Sequence, residues 1–197
     1  TVLDTINGGD GTDSVTITTS AATLTPVFTG VERITSTAAA GGTNTIALTS
    51  STSVNRITVA DGSNVGTSFT SMGSGLVINS DTGNTLTVDT VADAALTVNA
   101  AAANTNALTV ADASSVTLVG SATSGTFGSV ALDAVDTTAL TLKSSAATFV
   151  LGTGVISGTD KLASLAVATV GSGGNVSTGD MADADSLTSV TVVASAG

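Results

Sequence analysis

Apolar and polar residues alternate along this chain in short bursts, each bounded by glycine, asparagine, aspartate or serine. Ser14-Val15-Thr16-Ile17-Thr18, Thr45-Ile46-Ala47-Leu48-Thr49 and Arg56-Ile57-Thr58-Val59 show the period of two that turns one face of a β-strand to a core and the other to water. The middle of the chain is the most regular. Leu86-Thr87-Val88, Leu96-Thr97-Val98 and Leu108-Thr109-Val110 repeat one tripeptide, and Val116-Thr117-Leu118, Val130-Ala131-Leu132 and Leu140-Thr141-Leu142 follow. Their starts are 10, 12, 8, 14 and 10 residues apart. One strand and one turn fill a step of that size, so two or three steps complete a coil of a parallel β-solenoid in which each coil buries its apolar side chains on the next. An antiparallel β-sandwich is the alternative, since its strands recur at similar spacing, but a core about 10 Å thick needs more aromatic bulk than this chain supplies.

An Asp or Asn, one spacer and then alternating apolar residues recur as Asp13-Ser14-Val15, Asn44-Thr45-Ile46, Asn55-Arg56-Ile57, Asn84-Thr85-Leu86, Asn106-Ala107-Leu108, Asp160-Lys161-Leu162 and Asp185-Ser186-Leu187. Short Asx side chains bond turn backbone and tolerate left-handed geometry, which predicts a turn-former at each coil corner. Two stretches carry helical propensity. Val91 to Ala103 is Ala-rich, although Leu96-Thr97-Val98 within it favours strand; Lys161 to Val170, with Asp160 as an N-cap, stays open between helix and strand. Residues 1–197 read as a single β-rich segment of a larger protein, with flexible junctions at Gly41-Gly42 and at residues 171–174.

Composition sharpens this picture. Of the residues 42% are hydrophobic but only 2% aromatic, so the core must be built from Val, Leu, Ile, Ala and Thr in thin layers. Thirty-eight Thr and abundant Val are β-branched and suit a pleated surface. The net charge of −11 repels phosphate backbones and anionic bilayers, which sets nucleic acid aside as a partner. No stretch has the roughly 20 apolar residues of a spanning helix, so membrane insertion is not expected. With no His or Cys, and 14 Asp beside one Glu, the metal chemistry left to the chain is that of hard oxygen donors, and calcium is the expected ion.

One segment is specific. Gly8-Gly9-Asp10-Gly11-Thr12-Asp13-Ser14-Val15-Thr16 fits the nonapeptide Gly-Gly-x-Gly-x-Asp-x-apolar-x of calcium-binding β-rolls at every fixed position. Glycines let carbonyl oxygens turn toward a cation, Asp13 adds a carboxylate, and Val15 begins the anchoring strand. With Phe28-Thr29-Gly30-Val31-Glu32-Arg33-Ile34 and the Thr/Ala/Val texture, this nonapeptide resembles the calcium-dependent S-layer and repeat-in-toxin-like proteins exported by type I secretion in Gram-negative bacteria. The resemblance implies a secreted, extracellular cell-surface protein. It implies a calcium site at Gly8, Gly9, Asp10, Gly11 and Asp13, self-association into a lattice or filament, and a polysaccharide anchor carried by another part of the chain. In such proteins consecutive nonapeptides share each ion, and here there is one full copy.

Further acidic residues are candidates for the same ion. Asp180, Asp183 and Asp185 fall within six residues, and Gly158-Thr159-Asp160-Lys161-Leu162 copies the second half of the nonapeptide, with Lys161 as a competing charge. Asp89 with Asp93, or Asp133 with Asp136, could be taken for the paired carboxylates of a polysaccharide-cleaving β-helix. The aromatic and basic residues that line such sugar clefts are nearly missing, so no enzymatic activity is expected. Two binding roles compete with a structural one: an adhesin stalk, and an ice-binding solenoid displaying pairs such as Thr16/Thr18, Thr43/Thr45 and Thr85/Thr87, whose spacing is irregular.

Overall fold

The computed structural model describes residues 5–18, 23–37, 42–60, 65–80, 84–100, 107–120, 126–144, 148–151, 156–169, 175–177, 180–181 and 183–194. Gly41 and the junction at 171–174 lie outside these residues, as does Asn106. Among the described residues the chain is all β, in the order β1 (Thr5–Asn7), β2 (Ser14–Ile17), β3 (Thr23–Leu24), β4 (Val27–Thr29), β5 (Arg33–Ser36), β6 (Gly42–Ala47), β7 (Arg56–Val59), β8 (Val65–Met72), β9 (Leu76–Ser80) and β10 (Leu86–Ala100). Then come β11 (Leu108–Gly120), β12 (Thr126–Phe127), β13 (Val130–Ala131), β14 (Ala139–Ser144), β15 (Thr148–Leu151), β16 (Ile156–Ser157), β17 (Ser164–Thr169), β18 (Asn175–Ser177) and β19 (Ser189–Ala194). Every strand pairing is parallel, and the strands stack as a β-solenoid. The sandwich alternative is thereby excluded.

One face is a ladder in the order β2-β5-β7-β9-β10-β11-β14-β17-β19. A second is built by β3, β6, β8, the first halves of β10 and β11, and then β13 and β16. The mid-chain tripeptides divide between these two faces. Leu86, Leu108 and Val130 are in register on one, while Leu96, Val116 and Leu140 are in register on the other. Two of the steps read from the sequence therefore make one coil. Among the described residues a third face of three strands, β12-β15-β18, forms on the C-terminal side.

Register alone aligns the core. Val15, Ile34, Ile57, Ile78, Val98, Leu118, Leu142, Val167 and Val192 form one continuous column, each residue a rung below the last. Ile34, Ile57, Ile78, Val98, Leu118 and Leu142 are fully buried. A neighbouring column holds mostly small residues, Ser36, Val59, Ser80, Ala100, Gly120 and Ser144, all buried. Phe28, Phe69 and Phe127 are the largest of the fully buried side chains.

Both segments with helical propensity are extended where they are described. Val91–Ala100 belongs to β10, whose inward Ala94, Leu96, Val98 and Ala100 pack on β11, and Ser164–Thr169 forms β17 between β14 and β19. Inter-rung burial outweighs the alanine preference for helix, because an isolated short helix is marginal whereas each rung gains contacts on both sides. The Asx rule also has an exception. Asn44 is buried inside β6, in register with Thr67, and is not at a corner. Among the described residues no helix is long and apolar enough to cross a membrane.

Candidate metal centre

The corner between the second face and the ladder face is where the acidic side chains gather. β10 and β11 run through it without a break, bending at a register irregularity between Asp89 and Ala95. Asp93 and Asp112 turn the chain there with φ of 62° and 61°, in the left-handed region that aspartate tolerates better than most residues. Inside the bend, hydroxyls satisfy the carbonyls that the turn releases from the ladder. Thr90 Oγ1 donates to the Ala111 carbonyl at 3.2 Å, and the fully buried Thr137 Oγ1 donates to the Ala113 carbonyl at 2.9 Å.

Stacked rungs bring the outward carboxylates of this corner together. Asp112, Asp133 and Asp136 each offer an oxygen within 4.8 Å of the others, the one such group of three among the described residues. Asp133 is held in place by its own loop: Oδ1 accepts the amides of Val135 at 2.8 Å and Asp136 at 3.3 Å, and Oδ2 accepts the amide of Asp112 at 3.4 Å. The Val135 bond first, with the other two amides, lowers the Asp133 pKa from its ordinary value, against a smaller opposing effect of burial. Asp136 is raised, first by desolvation and then by the charges of Asp133, Asp112 and Asp93. Asp89 is raised by burial, by the charge of Asp112 and by a hydrogen bond with its carboxyl. The corner therefore fixes one carboxylate as an anion and sets others against it, the arrangement that a hard divalent cation relieves.

The nonapeptide lies at the same corner, on the first rungs. Its loop is packed on the next coil: the Gly8 amide donates to the Thr29 carbonyl at 2.8 Å, and the Asp13 carbonyl accepts the amides of Glu32 and Arg33 at 3.2 and 3.1 Å. Glu32 Oε2 accepts the Asp13 amide at 2.8 Å. Contact is so close that a Cβ on Gly8 would lie 2.0 Å from the Gly30 carbonyl oxygen, and Gly30 itself has φ of 62°. Phe28-Thr29-Gly30-Val31-Glu32 is thus the seat of the nonapeptide loop. Asp13 Oδ2 is buried and has no hydrogen-bond partner, an orphan oxygen that a cation would satisfy. Asp10 is exposed, and the loop does not add a third carboxylate to Asp13 and Glu32.

The remaining candidates stay apart from one another. Asp160 is exposed, and its carbonyl accepts the Ser186 hydroxyl at 2.5 Å. Asp180, Asp183 and Asp185 are exposed along the loop before β19, with Asp183 at φ of 63°, and they do not converge. Of the two pairs considered as catalytic, Asp133 and Asp136 do meet, and Asp93 and Asp89 act on the same group through Asp136 and Asp112. A nearby groove of about 440 Å³, lined by Thr49, Ser51, Ser53, Ser71 and Val91 among others, holds neither a carboxylate nor an aromatic ring. Sequence reasoning passed over Asp112. Its signal was the coil register: Asp89, Asp112 and Asp133 follow the aligned Leu86, Leu108 and Val130 by three or four residues.

The class that fold and corner define is a parallel β-solenoid with an acidic edge. No protein-family model, curated protein or solved structure matches the chain.

Proposed function

We propose that this chain is a structural segment of an extracellular, cell-surface protein, an S-layer lattice or filament component rigidified by calcium, and not an enzyme. The observation that carries this reading is the convergence of Asp112, Asp133 and Asp136 on successive coils, with Asp89 and Asp136 raised from their ordinary values first by burial and then by neighbouring carboxylates. Calcium bound there would link coils that hydrogen bonds already join, and would cancel repulsion that opposes stacking. Asp13, with its orphan oxygen, would serve a second ion beside Glu32. Self-association would follow the same logic, since a molecule of charge −11 meets a second copy only when cations screen or bridge the contact.

An ice-binding role finds little support in the outward columns. Thr16, Thr35 and Thr58 align, but Asn79, Asn99, Val119 and Lys143 continue that row. Thr97, Thr117 and Thr141 align beside it until Ala166, and on the second face Thr23, Thr45, Ser68, Thr87 and Thr109 align until Ala131, so among the described residues each threonine row is interrupted within a few rungs.

Thermal melting in millimolar calcium against excess chelator tests the proposal. One native-state site at about 100 times its Kd adds about 2.7 kcal/mol, so chelation should lower the Tm clearly. Asp112→Asn should diminish the response strongly and Asp13→Ala partly, while Asn84→Ala should leave it unchanged. Superimposable melting curves in calcium and chelator would remove calcium from the account.

A further inference from the structure

We propose that Asp10–Gly11 is a site of spontaneous isoaspartate formation in the folded protein, and that the fold simultaneously shields the neighbouring Asn7–Gly8 pair from the same chemistry. In both pairs the amide nitrogen of the glycine can attack the side-chain Cγ of the preceding residue and close a five-membered succinimide. From aspartic acid the new N–Cγ bond replaces a C–O bond and water leaves; from asparagine it replaces a C–N bond and ammonia leaves. Water then opens the ring at either carbonyl, to give aspartate or isoaspartate, and solvent is the only co-reactant. Glycine in the following position favours attack because no Cβ obstructs its nitrogen.

The two pairs are three residues apart, yet the structure treats them differently. At Asn7–Gly8 the nucleophile is engaged: the Gly8 amide donates to the Thr29 carbonyl at 2.8 Å. The electrophile is held as well, since Asn7 Oδ1 accepts the Gly9 amide at 3.0 Å. Gly8 has no room to swing, with the Gly30 carbonyl and the Asp13 side chain against its Cα, and Asn7 is in register with Thr29 in a strand pair. Attack at Asn7 therefore requires the first rung to open. At Asp10–Gly11 both residues are exposed, and among the described residues none hydrogen-bonds the Asp10 carboxylate or the Gly11 amide. Apart from the chain neighbours, no atom lies within 4 Å of where a Cβ would stand on Gly9 or Gly11, whose φ values are 85° and 121°. Asp10 can thus reach the attack geometry without breaking any contact of the fold. Isoaspartate there would route the main chain through Cβ and add one carbon to the loop that joins β1 to β2.

The test is incubation of the folded chain at neutral pH with chelator, beside a sample held in denaturant, followed by tryptic digestion and chromatographic separation of aspartate from isoaspartate peptides. Residues 7 to 11 fall before Arg33, in a different peptide from the other Asp–Gly pair, Asp61–Gly62, which lies outside the described residues. Isoaspartate at residue 10 is expected in the folded chain at within about threefold of the denatured rate, and deamidation of Asn7 at less than about one tenth of its denatured rate. Asp10→Glu, which cannot close the five-membered ring, should abolish the residue 10 product. Asp10→Asn should instead release ammonia at that position and show the same attack as a change of mass. A folded chain that forms no isoaspartate at residue 10, or that deamidates Asn7 as fast as the denatured chain, overturns the proposal, whatever calcium does to the melting curve.

Discussion

Single residues at the acidic corner make stability depend on pH in a direction that can be stated in advance. Asp89 and Asp136 are held above their ordinary values, so the native state keeps their protons longer than the unfolded chain does. Stability should fall as pH rises from about 4, the ordinary aspartate range, through those raised values. Asp133 has the opposite sign: its contribution is complete above the ordinary range and is lost as pH falls through its lowered value. In chelator, the Tm should therefore decline from about pH 4 toward neutrality, and Asp112→Asn should flatten part of the decline by removing a charge that, beside burial, helps to raise both neighbours. A decline of the same slope in the variant would place its origin in the general charge of the molecule. Glycine offers a separate test. Gly158 has φ of 73°, and a Cβ there would stand 1.9 Å from the Leu132 carbonyl oxygen, whereas a Cβ on Gly73 would meet nothing within 4 Å beyond its chain neighbours. Gly158→Ala should cost about 2–3 kcal/mol by urea unfolding, and Gly73→Ala about 0.5 kcal/mol or less. The nonapeptide-like string at Gly158 is on this evidence a packing requirement first.

At the scale of the element, a rung is a strand with neighbours above and below, and its worth depends on having both. Leu118→Ala would empty a fully buried position between Val98 and Leu142 and should cost about 2–5 kcal/mol. Val192 occupies the same column, but its rung is the outer one described and it is 69% exposed, so Val192→Ala should change stability by about 0.5 kcal/mol or less. Equal losses at the two positions, measured by denaturant melts, would mean that Val192 is covered in solution. Strands were the part of the molecule most legible in the sequence, because a period of two survives in any sheet. Leu86, Leu96 and Leu108 even marked the step, although whether two or three steps made a coil was settled only by the register. What stayed hidden was which rung meets which, since coils of unequal length shift the partner by a different number of residues each time: Val15 pairs 19 residues on with Ile34, and Leu142 pairs 25 on with Val167. Asp112 escaped notice for that reason. For Val91–Ala103 the Leu96-Thr97-Val98 repeat already favoured strand, whereas Lys161–Val170 stayed open because local propensity carries no record of the rungs on either side.

For the whole molecule, nearest-neighbour stacking makes stability close to a sum over coils, in which a rung stacked on both sides opens less easily than one stacked on a single side. The nonapeptide lies on the first described rungs, so ions bound at Asp13 would steady those rungs, while the Asp112 corner would steady the middle of the described ladder. The direction of the hydrogen bonds has a mechanical consequence. In a parallel ladder they point along the stacking axis, so tension applied along that axis loads them in line, one rung at a time, and does not shear many together. A rung that yields sets free one coil of 19 to 25 residues, roughly 60–90 Å of slack at about 3.3–3.6 Å per residue. The chain is in this sense a row of extensible links: a pull lengthens it by discrete coils while those still stacked keep their register and can take the released coil back.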